Sequence, residues 1–325
     1  MKFGVLQFFA WPNRRGELAV VYERALDRVK TMDQTGFDAV WLAEHHFSTY
    51  SVCPSVHVMA AHVAGITKNL RIGTAVSLAA FYHPLRLAEE VALLDNLTNG
   101  RINWGAGRGF DRKEMEIFGV KIDDSKELFH ENVEIVLEAW RNEKFSYEGR
   151  YNQYNDVEVL PKPLQNPMPF WVAATSVDAI QWAAERGYAI LMDPHASCDD
   201  IGEKYRHYHD TLTASGHEND QVTPMARLLA IADHEGQAEQ IARNGSQWMF
   251  GSYFNQGTGG STAADTAERR LNDYVNNTVI WGTPEQVADQ LLELQESISL
   301  NYLLAAPLSH ATFVKFVDEV MPRLA

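Results

Sequence analysis

Apolar and polar positions along this chain alternate between two periods. FGVLQF (3–8) reads as a buried strand, and LAVVYERALDRVKTMDQTG (18–36) repeats apolar residues at helical spacing until Gly36, a favoured helix terminator. DAVWLA (38–43) is a second apolar strand. A helix near 54–66, a strand NLRIGTAVSL (69–78), a helix from Pro84 to about Leu97 and a strand RINWGAG (101–107) follow. Repeated strand and helix units of this kind point to parallel pairing through right-handed crossovers.

The second half keeps the rhythm. A helix running to about Arg141 precedes the strand PFWVAAT (169–175), the helix AIQWAAERG (179–187), the strand YAILMD (188–193) and a helix from about Asp199 to Ser215. ARLLAIAD (226–233), helices from Gly236 to about Met249 and from Pro284 to about Glu296, the strand LNYLLAAP (300–307) and a last helix to Met321 complete the set, with eight strands in all. Two segments break the pattern: 145–168, rich in aromatics, Asn and Pro and suited to a hairpin, and 251–277, which contains NQGTGGSTAADT. In a closed barrel, long connections sit over the catalytic face, so 251–277 reads either as a lid or as a plain surface insertion.

With 325 residues and 46% hydrophobic content the chain can bury a large core, and a single domain over 1–325 is expected. The formal charge of -15 repels phosphate backbones and anionic lipid, which argues against nucleic acid and membrane partners. Cys53 and Cys198 have no zinc or disulfide spacing, which fits a reducing compartment, and the cytoplasm is the expected location. The N-terminal MKFGVLQFF is too short for a membrane span and reads as a first strand.

The chemistry-bearing residues gather at strand ends. WLAEHHF (41–47) delivers Glu44, His45 and His46 to the loop after the second strand, where barrels carry their active sites. An ordinary hydrogen-bond network would also satisfy them. Adjacent histidines point to opposite sides of an extended chain, and no HxH, HxxxH or HExxH pattern falls on a predicted element, so a metal site ranks low. WGAGRGF (104–110) offers glycines for close backbone approach and Arg108 as a fork for phosphate or carboxylate; by themselves the glycines are also a tight turn. Lys126 stands at a helix start as a second cation. Thr175 and Ser176 stand at another, as anion donors or simple caps. Three such clusters, each after a strand, favour a phosphorylated cofactor.

GFDAVWLAEHHF, KNLRIGTAV followed by HPLR, LLDNLTNGRINWGAGRG, WVAATS with QWAAERG, GTPEQV and VMPRL occur in order nearly end to end. On these the chain resembles bacterial luciferase and the luciferase-like flavin-dependent monooxygenases. The resemblance implies a (β/α)8 TIM barrel with insertions near 145–168 and 251–277. It implies FMN, bound as FMNH2 and supplied by a separate flavin reductase, with O2 as co-substrate. One oxygen atom would enter a small organic substrate, an aldehyde, ketone or aromatic, through a flavin hydroperoxide. His45 matches the family's catalytic histidine, with Glu44 beside it. Ala75 and Val76 match a pair joined by a cis peptide against the flavin ring. Arg108, Lys126, Thr175 and Ser176 match phosphate-side positions, Gly107 and Ala173 fall in the cofactor-lining segments, and Trp248 matches a flavin-pocket tryptophan. Family members pair through the region of PSVHVMAAHVAGI (54–66), whose small residues permit close helix contact, so a homodimer is expected; packing of the same residues against the barrel is the alternative.

The departures bear on substrate. Gly107 stands where the luciferase catalytic chain has a reactive cysteine, Lys126 replaces an arginine, and Pro194 replaces a pocket tryptophan, so long-chain aldehyde turnover and light emission do not follow. Two rival readings are a deazaflavin-dependent hydride-transfer enzyme of the same superfamily and a non-catalytic subunit sharing the fold.

Overall fold

The computed structural model describes residues 1–192, 194–218, 222–252 and 264–324. Eight parallel strands form the frame: β1 (Lys2–Gln7), β2 (Ala39–Leu42), β3 (Arg71–Thr74), β4 (Ile102–Gly107), β5 (Phe170–Ala173), β6 (Ala189–Leu191), β7 (Met225–Ile231) and β8 (Tyr302–Pro307). Each pairs with its neighbour in chain order and β8 pairs back onto β1, while a single bridge between Met192 and Met225 joins the sixth strand to the seventh. These are the eight strands expected from the apolar runs, curled into a (β/α)8 barrel. Parallel strands buried on both faces need continuous apolar sequence, and AVWL in β2 is buried at every position.

Eleven helices accompany the frame among the described residues: α1 (Leu18–Gln34), α2 (Val56–Ile66), α3 (Pro84–Leu97), α4 (Arg112–Ile117), α5 (Ser125–Arg141), α6 (Val177–Ala184), α7 (Cys198–Ala214), α8 (Glu235–Ser252), α9 (Ala264–Thr278), α10 (Pro284–Ser297) and α11 (His310–Lys315). Their starts follow the expected chemistry. Ser55, Ser176, Ser197 and Ser309 cap α2, α6, α7 and α11, and Thr283 with Gln286 forms a full capping box on α10. Helices pack on the barrel by one stripe; α1 buries Ala25, Val29 and Met32 at helical spacing.

Two cores result. One lies between sheet and helices, where Trp104 stacks on Phe170 and meets Trp140 edge-on. The other fills the barrel, where Trp41 and Trp171 meet edge to face at 5.1 Å. Gly73 makes room for the Trp41 indole, since a Cβ there would lie 2.3 Å from the ring.

The segment 145–168 contains the expected hairpin, Phe145–Glu148 against Gln153–Val157. The segment 251–277 differs from expectation. Residues 253–263, which hold the Gly-rich run, lie outside the described residues, but Ala264–Thr278 is helix α9. Leu271, Tyr274 and Val275 are buried at a helical interval, a short stripe hidden behind the Gly, Ser and Thr composition before it. Two short strands also go beyond the eight: Ser77–Leu78 beside β4, and Ile280–Gly282 beside β7.

Candidate functional site

At the C-terminal ends of β1 to β6 the barrel opens into a cavity of about 370 Å³. Glu44 and His45 reach it from the end of β2, Ala75 and Val76 from the end of β3, and Gly107 and Arg108 from the end of β4. Ala173, Thr175 and Ser176 come from β5 and the start of α6, and Lys126 from the start of α5. Ten of the eleven residues singled out in the sequence therefore share one cavity. Trp248 is the exception. It lies behind Tyr50, ring stacked on ring at 6.0 Å, and lines an adjoining cavity. Pro194 lines the main one.

The two histidines diverge, as the extended chain requires. His45 holds Nδ1 at 3.5 Å from Oε1 of Glu114, and its ring meets Tyr50 edge-on at 4.8 Å. His46 turns the other way, with Nε2 3.0 Å from Oε1 of Glu44, while its amide donates to Glu114 Oε1 at 2.7 Å. Glu44 is 2% exposed, and the Tyr82 hydroxyl donates to it at 3.0 Å. Burial first, and the Glu44 charge second, push the Tyr82 hydroxyl well above the ordinary phenol range, so it stays a donor. The same two causes push the nearby Cys53 thiol up to about 12, so it is not a ready nucleophile. Glu44 thus braces the loop through His46 and Tyr82, and the carboxylate beside His45 is Glu114.

One end of the cavity is built for an anion. Arg108 projects from the end of β4 with Nη1 3.4 Å from Ser125 Oγ, and among the described residues it has no carboxylate partner. Lys126 touches Asp178 at 3.6 Å, both side chains more than half exposed. The Ser176 hydroxyl accepts from the Ala179 amide as an N-cap, so α6 turns its positive end toward the same place. His130, stacked flat on Trp182 at 3.9 Å, is held down to about 4 by burial and then by Lys126, Arg186 and Arg108.

That depression sets a pH dependence. The unfolded chain takes up a proton near the ordinary histidine value of 6.5. The folded chain does so only near 4, so the contribution is complete above the first and lost as pH falls through the interval. Denaturant unfolding at pH 7 and pH 5 should show His130→Gln losing about 1 kcal/mol less than the wild type on acidification. That figure already discounts for the partial exposure of the ring to water. Identical losses would remove His130 as the cause.

The wall of the cavity includes the Ala75–Val76 peptide, which is cis, as the resemblance implies. Gly107 faces it. A Cβ on Gly107 would lie 2.3 Å from Val76 Cγ2, so the valine methyl occupies the space that a side chain at 107 needs. Gly107→Ala should lower stability by about 1 to 3 kcal/mol, and adding Val76→Ala should restore most of it. Thermal unfolding of the three variants checks this; an additive double mutant would contradict the shared space.

Glu114, Tyr82, Tyr50 and His195 were not singled out in the sequence. Glu114 sits within the charge-rich DRKEME, where Asp111 caps α4 and nothing marks the first of the two glutamates as buried. Tyr50 and His195 meet at 3.4 Å across the mouth, and His195 Nδ1 lies 2.6 Å from the Tyr274 hydroxyl. These pairings span 145 and 79 positions, beyond any local pattern.

The sequence profile described as luciferase-like monooxygenase matches residues 1–299. An uncharacterized protein of Sinorhizobium fredii is 34% identical over 59% of this chain, a match that spans 55% of that relative's length. The alkanal monooxygenase alpha chain of the Kryptophanaron alfredi symbiont is 28% identical over 78% of this chain and 72% of its own. Among solved structures, the FMN-bound oxygenating constituent of 3,6-diketocamphane monooxygenase from Pseudomonas putida superposes with a TM-score of 0.81 at 19% identity, covering 99% of this chain and 98% of that one.

Proposed function

The chain belongs to the luciferase-like monooxygenases, a family of oxidoreductases, and on that premise we propose that it is an FMNH2-dependent monooxygenase acting on a small organic substrate. The observation that carries this reading is the single cavity that brings together an anion-binding end, a histidine and a wall formed by Gly107 and the Ala75–Val76 peptide. Arg108, Lys126 and the start of α6 suit a phosphate: Arg108 has no competing carboxylate, and a fork plus a point charge plus helix amides is a common phosphate-binding set. Gly107 makes room for the Val76 methyl, so the surface offered to a planar ring is Val76 packed over the glycine. The FMN in the Pseudomonas putida structure supports this choice of cofactor.

Bound as FMNH2, the cofactor would supply the electrons that activate O2. The chain's own residues then do the rest. Glu114 orients His45 through Nδ1, which leaves the other ring nitrogen to take or return a proton. Tyr50 and His195 line the cavity, with His195 held between the Tyr50 and Tyr274 hydroxyls. Glu44, tied to His46 and Tyr82, fixes the loop on which His45 rides. A separate reductase supplies the reduced cofactor, and the whole chain works as one domain.

We further propose a homodimer. On α2 Val58 is 72% exposed, and on α3 Leu97 is 68% exposed with Leu93 nearby, an apolar surface suited to a second copy. Sedimentation should give twice the 36.7 kDa chain mass, and Val58→Asp with Leu93→Asp should give the single chain. A monomeric wild type would end this part of the reading.

The activity is tested by supplying a flavin reductase, FMN and 18O2, with a panel of aldehydes, ketones and aromatic substrates. One 18O atom in the product is expected. Product formation without 18O, or dependence on a deazaflavin in place of FMN, would contradict it.

A further inference from the structure

Beside the cavity just described lies a second of about 1070 Å³, between α1, α8 and the ends of β1, β7 and β8. The two share Leu6, Phe8 and Tyr50, so the Tyr50 ring, backed by Trp248, is the partition between them. Part of the lining of the second cavity is apolar, from Leu228, Ile241, Met249 and Leu308, and Arg15, Arg24 and Arg28 line it as well.

This charge is anomalous for the molecule. The chain carries 43 acidic residues against 28 basic ones, yet among the described residues those lining this cavity include three arginines and no Asp or Glu. Arg24 and Arg28 stand four apart on α1, where like charges on one helix face are unfavourable. Among the described residues neither has a carboxylate within ion-pair distance. The Arg28 Nε is buried and has no hydrogen-bond partner, and its guanidinium lies 5.8 Å from the Phe313 ring centroid. Burial, and then Arg24, hold Arg28 down to about 10, still charged at neutral pH. A buried donor left unmade and an uncompensated like-charge pair both cost stability, and a carboxylate relieves both at once.

We propose that this cavity is the substrate subsite and that it takes an apolar carboxylic acid, its carboxylate at Arg24 and Arg28 and its apolar length against Tyr50 and Trp248. The inference rests on the reading of the first cavity as the flavin site, because that reading makes the Tyr50 end the reacting end, and it requires the Tyr50 ring to swing out of the partition so that the two cavities join. It narrows the substrate from organic molecules in general to organic acids.

The test compares 4-phenylbutanoate with its neutral counterpart 4-phenylbutanamide by isothermal titration calorimetry, on the protein with and without FMN. The acid is expected to bind at least about tenfold more tightly than the amide. Arg28→Met should lose about that tenfold for the acid and leave the amide unchanged, while Arg28→Lys stays within about threefold of wild type. Arg24→Gln, at an exposed position, should weaken the acid in the same direction and guards against a folding defect at Arg28. Equal binding of acid and amide, binding of neither, or insensitivity to both arginines overturns the proposal. So does inorganic phosphate displacing the acid as well as unlabelled acid does, since that marks a bare anion site. FMN affinity measured on the same preparations separates the two readings: absence of FMN binding with the acid preference intact defeats the flavin reading alone.

Discussion

Replacing His45 by Ala is expected to lower oxygenated product by two or more orders of magnitude while changing FMN affinity by less than about threefold. The asymmetry follows from position. His45 reaches the cavity from the end of β2, whereas Arg108 and Lys126 come from the end of β4 and the start of α5, so it adds little to holding a phosphate. Its Nδ1 faces Glu114 at 3.5 Å, and Glu114 is itself fixed by the His46 amide, so the ring is aimed before any ligand arrives. A positioned acid or base typically contributes a factor of about 10² to 10⁴. Glu114→Gln keeps the shape and removes the charge, so it should shift the pH profile of product formation with a smaller loss in rate than His45→Ala. Full turnover in the His45 variant would remove it from the mechanism. An unshifted profile in the Glu114 variant would reduce that carboxylate to a loop brace.

The second large effect falls on binding. Arg108→Leu should weaken FMN by about 10- to 100-fold, the size of one or two charge-assisted hydrogen bonds to phosphate. Arg108→Lys should recover part of it, because the charge stays while the planar fork is lost. Lys126→Met should cost less than either. Lys126 is more than half exposed and already shared with Asp178, whereas Arg108, hydrogen-bonded to the Ser125 hydroxyl, has no carboxylate partner among the described residues. Fluorescence titration with FMN orders the three variants; equal losses at Arg108 and Lys126, or none at either, would contradict the assignment of this end to phosphate.

What the sequence disclosed was what depends on neighbours along the chain. Buried parallel strands are apolar runs, so all eight barrel strands were legible, and with them the rim at which Glu44, His45, Gly107, Arg108 and Ser176 arrive. Helix α9 was not, because Leu271, Tyr274 and Val275 form only a short stripe beside a long polar stretch. Nor was Glu114, whose role depends on α4 folding back over the loop after β2. The division of labour between the two carboxylates was hidden for the same reason. Chain adjacency favours Glu44 as His45's companion, whereas the extended backbone turns consecutive side chains apart and gives Glu44 to His46. Trp248 shows the same limit: its segment is plainly helical, but only packing against Tyr50 decides which side of the partition it faces.

The central claim is that one cavity holds FMN with its phosphate at Arg108 and its ring against Gly107 and the Ala75–Val76 peptide. A crystal structure of the protein grown with FMN tests it most directly. The account predicts the phosphate at Arg108 and the start of α6, and the ring beside Val76 with His45 at its edge. Phosphate bound elsewhere, or a metal ion held between Glu44 and His46, would contradict it.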